Sequence, residues 1–371
     1  MNFPKPHTPD PKPHFVLPRS RPPQLRGHGG SHHEERHATW LELFYDLIFV
    51  AAVAQLASTL SDDYSWEGVL RLVALFVPVW WAWIGHTFYL TRFDTDDLWH
   101  RLLTMLQMIF VASLAVHAPR GLGEYSIHFA LSYFGVRAIL VGQYLRAGKH
   151  VEAARPLTRR YATGFGVAAF LWLLSTVVPV PLRFALWFVA IAIDILTPLT
   201  AGQMHAKIPP HFSHLPERFG LFTIIVLVEA VVAVVQGIGK TGLHLQAGIS
   251  AVMGMLIAFT FWWGYFDGVH AAEARPVRSR QDVWCYQIWL YTHLPLTMSI
   301  VATAIGVKHI LALQPSTQLP THEGWIFCGA VALGMTCLTI IYRRSPSISH
   351  GPGIGRYLLP HHIVALLTLL C

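Results

Sequence analysis

From residue 39 onward the chain is a succession of apolar runs of about 20 residues separated by short polar connections. Twenty residues of α-helix rise about 30 Å, the thickness of a bilayer's hydrocarbon core. The runs predict membrane-crossing helices over 40–60, 67–91, 98–118, 124–146, 158–178, 181–201, 217–237, 244–268, 283–307, 323–342 and 355–371. Lipid-facing barrel strands alternate apolar and polar positions, and these runs do not. The pattern therefore predicts an all-α, polytopic transmembrane bundle of about 11 helices.

Residues 1–38 differ. They hold eight prolines and six histidines but no apolar run, which argues against a secretory signal peptide and predicts a disordered tail. His28, His32, His33 and His37 cluster there, but nothing in the tail fixes a coordination geometry, so a solvated segment is expected and no metal or cofactor site.

Composition agrees with the pattern. Asp, Glu, Lys and Arg make up 13% of the 371 residues and hydrophobic residues 53%, too little charge to cover a water-soluble globule. The net charge of +7 would suggest a nucleic-acid partner in a soluble protein. Here its distribution gives another meaning. Of the 27 Lys and Arg, 21 fall in the tail and on every second connection, four (Arg120, Arg183, Lys240, Lys308) on the other connections, and Arg71 and Arg137 within predicted spans. This asymmetry is the positive-inside pattern and predicts an N-terminus in the cytoplasm. Cys285, Cys328, Cys337 and Cys371 lie in or beside apolar stretches without metal spacing and read as small apolar side chains.

An internal repeat also shows. Glu42-Leu43-Phe44 opens the first span and Glu217-Arg218-Phe219 the seventh. Trp80-Trp81-Ala82-Trp83 with Phe93-Asp94 in the second is answered by Phe261-Trp262-Trp263-Gly264 with Phe266-Asp267 in the eighth. Trp99 and Val111-Ala112-Ser113 in the third are answered by Trp289 and Val301-Ala302-Thr303 in the ninth. The order predicts a first repeat over 39–203 and a second over 204–371, parallel in the membrane and with the last helix of the second missing.

Charges at bilayer depth are costly and mark function by default. Arg137, Asp194 and Glu229 lie near the middles of their spans, and Asp46 one to two turns into the first. Two readings stand at this point: an Arg–carboxylate pair that locks helices together, or an ion or proton relay along the acids. The excess of acids favours cations or protons. His86 and His293 are further relay candidates, able to titrate near neutrality. Glu42, Glu217, Asp94 and Asp267 at helix ends are gate candidates, although helix capping alone would favour acids at Glu42 and Glu217. No Lys lies mid-span, and there is no phosphate loop, His-Glu-x-x-His, Gly-x-Ser-x-Gly or Cys-x-x-Cys, so no catalytic residue is predicted.

Trp40-Leu41-Glu42-Leu43-Phe44-Tyr45-Asp46-Leu47-Ile48-Phe49-Val50 resembles the hallmark of the bacterial low-temperature-requirement A (LtrA) family. Arg92-Phe93-Asp94-Thr95-Asp96-Asp97, His214-Leu215-Pro216-Glu217-Arg218-Phe219-Gly220-Leu221-Phe222 and Tyr291-Thr292-His293-Leu294-Pro295-Leu296 fit in the same order, covering residues 39 to about 310. Val228 stands before Glu229 where the family usually has Gly, which predicts altered packing at that acid. The resemblance implies a multi-pass protein of the bacterial inner membrane and supplies no biochemical activity. More distantly, Phe44-Tyr45-Asp46 is similar to the Phe-x-Asp motif in the first helix of potassium-permeable channels built from two six-helix halves.

The expectation is a transporter or channel for a small cation or proton, embedded in the lipid bilayer as a possible homo-oligomer, and not an enzyme. The alternatives are a membrane-embedded enzyme acting on lipid, for which Asp94, Asp96, Asp97 and His100 are the only plausible metal-phosphate site, or a cold-envelope sensor or assembly factor.

Overall fold

The computed structural model describes residues 21–25, 39–94, 97–201, 204, 208, 214–241, 245–270, 280–313 and 317–344. Within them the chain is an all-α bundle of ten α-helices: α1 (Trp40–Asp62), α2 (Trp66–Arg92), α3 (Leu98–His117), α4 (Ser126–His150), α5 (Arg155–Ser175), α6 (Leu182–Leu199), α7 (His214–Thr241), α8 (Leu245–His270), α9 (Arg280–Ala312) and α10 (Thr321–Arg344). Each corresponds to one predicted span, and the ends agree to within about five residues. The eleventh predicted span, 355–371, lies outside the described residues.

Eight of the ten are long and apolar enough to cross a membrane by composition alone. The other two, α4 and α5, have 25 and 21 residues, lengths of about 37 and 31 Å. Their mean hydropathy is low because each carries charged residues, Arg137 buried at mid-helix in α4 and Arg155, Arg159 and Arg160 exposed at the start of α5. Hydropathy weighs a residue without regard to the side it faces.

Bonds at the helix ends show that consecutive helices alternate in direction. At the face where α1 begins, hereafter the N-terminal face, Arg218 near the start of α7 meets Asp46 in α1. Asp97 at the start of α3 meets Arg146 near the end of α4 there. At the opposite face Arg183 of α6 donates to Ser126 Oγ at the start of α4 (2.6 Å) and to the Ser175 carbonyl at the end of α5 (3.2 Å). His309 near the end of α9 meets Glu323 near the start of α10 (2.9 Å) at that same face. Arg71, counted above within a span, sits at the opposite-face end of α2, where it pairs with Asp63 and Glu67 in an exposed position.

Packing order is the same in the first four helices and in α7 to α10. In each set the first helix packs on the second and third, the third on the fourth, and the second touches the fourth. The halves meet where α1 and α2 pack on α7 and α9. The Trp clusters do not match in environment: Trp80, Trp81 and Trp83 are buried in the core, whereas Trp262 and Trp263 are exposed on the bundle's outside.

Small residues set the closest approaches, as is common between membrane helices. Gly135 of α4 lies directly against the Phe110 ring of α3, so that a Cβ there would overlap it. In the tail, residues 21–25 are ordered, contrary to the disorder read from composition. Gln24–Leu25 (β1) pairs antiparallel with Phe93–Asp94 (β2), and Pro23 is buried. The rest of the tail, including the four clustered histidines, lies outside the described residues.

Replacing Gly135 by Val should lower the unfolding temperature in detergent, at a cost of about 1–3 kcal/mol from overpacking. Adding Phe110→Leu to the same chain should recover much of the loss. Equal unfolding temperatures for Gly135→Val and the parent would contradict the close α3–α4 approach.

Candidate functional site

The site is built from the start of α1. The Thr39 side chain accepts from the Glu42 N–H (3.3 Å) and caps the helix. Helical spacing then puts Glu42, Tyr45, Asp46 and Phe49 on one buried stripe, with Trp40, Phe44 and Leu47 exposed on the outside. α7 packs against that stripe and brings Arg218 to it. Arg218 Nη2 donates to Asp46 Oδ1 (2.7 Å), and Arg218 Nη1 stands 3.7 Å from Glu42 Oε2. Trp83 of α2 donates from Nε1 to the same Asp46 oxygen (2.9 Å), and its ring packs on Phe219 and Phe222 of α7. One guanidinium is thus shared unequally by two carboxylates at the junction of the halves, and all three are buried.

Arg218 is the residue that the sequence reading missed, because Glu217-Arg218 at a span's edge reads as a surface pair. The available signal was position: Arg218 lies one turn into a helix whose next residues are Phe-Gly-Leu-Phe.

A second ion pair lies within the first half. Arg137 Nη2 donates to Asp194 Oδ1 (2.5 Å), and Tyr133 donates from its hydroxyl to Asp194 Oδ2 (2.9 Å). The Arg137 guanidinium carbon lies 4.2 Å from the centre of the Phe165 ring of α5, and Gly85 of α2 lies directly against Nη1. Both partners are fully buried. With both Asp194 oxygens occupied, this pair has the geometry of a lock joining α4 and α6, the first of the two readings for Arg137.

The remaining candidates separate clearly. Glu229 is buried on α7 within electrostatic range of Lys308 on α9. Val228 beside it points outward and is exposed, so the branched side chain does not crowd the interior at Glu229. Glu217 is half-buried whereas Glu42 is buried, so the two positions that the sequence pattern pairs differ in environment. Asp94 lies in the β1–β2 pairing, and Asp267 is exposed and accepts from Trp263 Nε1. Of the four helix-end candidates, Glu42 is the one seen against Arg218.

The two histidines differ most. The His293 Nδ1–H donates to the Trp289 carbonyl (2.8 Å), leaving Nε2 to accept from the Tyr265 hydroxyl (3.1 Å). With both nitrogens satisfied, His293 is fixed as a neutral core residue among Phe219 and Trp289. His86 is equally buried and stacks on Tyr45 with ring centres 4.0 Å apart. Neither ring nitrogen makes a close hydrogen bond among the described residues, and its one hydrogen-bonding neighbour there is the Gln107 side chain.

Of the residues named for the lipid-enzyme alternative, Asp97 is engaged by its neighbours at the start of α3. Asp97 caps α3 by accepting from the His100 N–H (2.9 Å) and is bound by Arg146 (2.5 Å) and the Arg21 N–H (3.3 Å). Burial by itself raises its carboxyl, but the Arg146 and N–H hydrogen bonds outweigh it and hold Asp97 below the usual carboxylate range. Asp96 lies outside the described residues. Among the described residues no group of three or more His, Cys, Asp or Glu is placed to hold a metal ion.

A model of bacterial low temperature requirement A proteins matches residues 37–371. An uncharacterized protein of Rhizobium meliloti (strain 1021), RA0937, is 29% identical over 293 residues, covering 75% of this chain and 71% of its own length. No solved structure matches.

Two outcomes follow from the ion pairs. Arg137→Met alone should destabilise the detergent-solubilised protein by about 3–5 kcal/mol, because it strands a buried carboxylate. Arg137→Met with Asp194→Leu should be markedly more stable than that single variant, and thermal unfolding reads both. For Asp97, the depressed folded pKa means that its stabilisation is present above the unfolded value of about 3.9 and is lost as pH falls through the folded value. An unfolding series taken into acid should therefore lose its Asp97-dependent step in Asp97→Asn. An unchanged acid limb would remove Asp97 from that role.

Proposed function

The chain belongs to the bacterial low temperature requirement A family, and from that premise we propose that it is a transporter or channel for protons or small cations, set in the bacterial inner membrane with its N-terminus in the cytoplasm. The observation that carries the reading is the unequal sharing of Arg218 between Asp46 and Glu42 at the junction of the halves.

In hydrocarbon a charge must be paired or neutralised. Arg218 is bonded to Asp46 and lies only within Coulombic range of Glu42. A proton or small cation taken up at Asp46 cancels the charge that holds the guanidinium and favours its transfer to Glu42. Loss of that cation reverses the transfer. Two arrangements of one buried cluster, each biased by occupancy, are what a transport site between two halves requires. The Lys and Arg asymmetry supports the orientation. Glu229 offers a further carboxylate eleven residues along α7 from Arg218, about 16 Å along the axis and about 20° around it.

Purified protein in liposomes with imposed pH and potassium gradients tests the reading. The parent should dissipate one of the gradients, Asp46→Asn should fall to the protein-free rate, and Glu217→Gln should match the parent. Chromatographic profile and unfolding temperature confirm that each variant is folded. A parent without flux, or flux in Asp46→Asn equal to the parent, would overturn the proposal.

A further inference from the structure

α3 has the opposite polarity to a helix in a water-soluble protein. Leu98, Trp99, Leu102, Met105, Leu106 and Ile109 are exposed on its outside, while Asp97, His100, Thr104 and Gln107 are buried. The buried four recur at three- and four-residue spacing and therefore form one stripe, about 15 Å long, from the N-terminal face toward the middle of the membrane.

Across from the stripe stand His86 of α2 and Tyr45 of α1. The His86 ring lies parallel to that of His100, with centres 6.3 Å apart, and Gln107 stands beside it. Among the described residues the Tyr45 hydroxyl and Thr104 Oγ1 have no hydrogen-bond partner, His86 has none but the Gln107 side chain, and all four residues are at most 1% exposed. Gln107 does use its amide nitrogen, which donates to the Val136 carbonyl (3.4 Å). Charged or titratable groups around His86 and Tyr45 are Glu42 and Asp46 from α1, His100 from α3, Arg137 from α4 and Arg218 from α7.

The buried Tyr–His pair of the second half is arranged differently. Tyr265 and His293 bond each other there. Buried polar atoms without protein partners are ordinarily served by water, each molecule making about three hydrogen bonds.

We infer that the space between α1, α2 and α3 is a hydrated access channel for protons, leading from the N-terminal face past His100 to His86 and Tyr45, beside the Asp46–Arg218 cluster, with Thr104 and Gln107 on its α3 wall. This deepens the proposed transport and takes its passenger from that reading. The water-filled space itself stands on the unpartnered atoms. Its mouth lies under Asp97 and Arg146, where Arg21 bonds to both: its N–H to Asp97 (3.3 Å) and its carbonyl to Arg146 Nη2 (2.9 Å).

Hydroxyl-radical footprinting of the whole protein in lipid nanodiscs tests the channel, because radicals formed from bound water modify the side chains that the water touches. His86 and Tyr45 should be modified several-fold more than His293 and Tyr265, which are of the same residue types, similarly buried and bonded to each other. Equal modification of the two pairs would overturn the inference.

Direction is read with silver ion on Thr104→Cys in a chain whose native cysteines are replaced by Ser or Ala. Silver added at the N-terminal face of sealed vesicles should protect the thiol from later alkylation. Protection only from the opposite face, or from neither, would overturn the direction or the channel. Modified His86 in a protein without flux would uphold the hydrated space and count against transport, so the two failures are distinguishable.

Discussion

The bond between Arg218 and Asp46 is the contact on which the junction of the halves depends. In hydrocarbon a lone guanidinium or carboxylate is costly, so each charge at depth must find its counterpart on another helix. That requirement brings the start of α7 to the start of α1 and turns Trp83 of α2 inward, where its N–H completes the Asp46 environment. The same rule, applied to Arg137 and Asp194, joins α4 to α6 through a carboxylate with both oxygens filled. The two pairs differ in a way that matters for function. Asp194 is saturated, whereas Arg218 has a second carboxylate within reach.

α1 is held to the second half at both of its ends. Beyond the Arg218 contact at the N-terminal face, the Tyr64 hydroxyl just past its far end donates to the Ala302 carbonyl (2.9 Å), and His309 bonds the Ser61 carbonyl (3.1 Å). Any motion of one half against the other must therefore release polar bonds at one end of α1 while keeping those at the other. In the proposed cycle, exchange of Arg218 from Asp46 to Glu42 leaves no charge unpaired once Asp46 has taken up a proton or cation. A first helix pinned in this way explains why the most distinctive stretch of the sequence, Trp40 to Val50, lies at its beginning.

Helix positions were legible in the sequence because apolar run length is nearly all that determines them in a bilayer, and the Lys and Arg alternation agreed with the count. Buried charges were legible where they fell mid-span: Asp46, Arg137, Asp194 and Glu229 are all buried. Partners were not. Nothing local links Arg218 to Asp46, 172 positions away. Their meeting is set by the way α7 packs, which no periodicity encodes. Histidine roles were illegible for a related reason. His86 and His293 read alike in sequence, yet one carbonyl and one tyrosine hydroxyl satisfy the second, whereas among the described residues only the Gln107 side chain approaches the first. Two residues of the tail, Gln24 and Leu25, pair with a short strand, which its proline content does not announce.

Whether the Arg218 cluster is a transport site or a second lock is decided by neutralising both partners together. The chain carrying Asp46→Asn and Arg218→Gln strands one buried carboxylate fewer than Arg218→Gln, so its unfolding temperature should exceed that of the single variant. If the cluster is the site, that folded double variant should nonetheless carry no proton or cation flux in liposomes. Flux at the parent's rate in the double variant would show that the pair only joins helices, and would contradict the account.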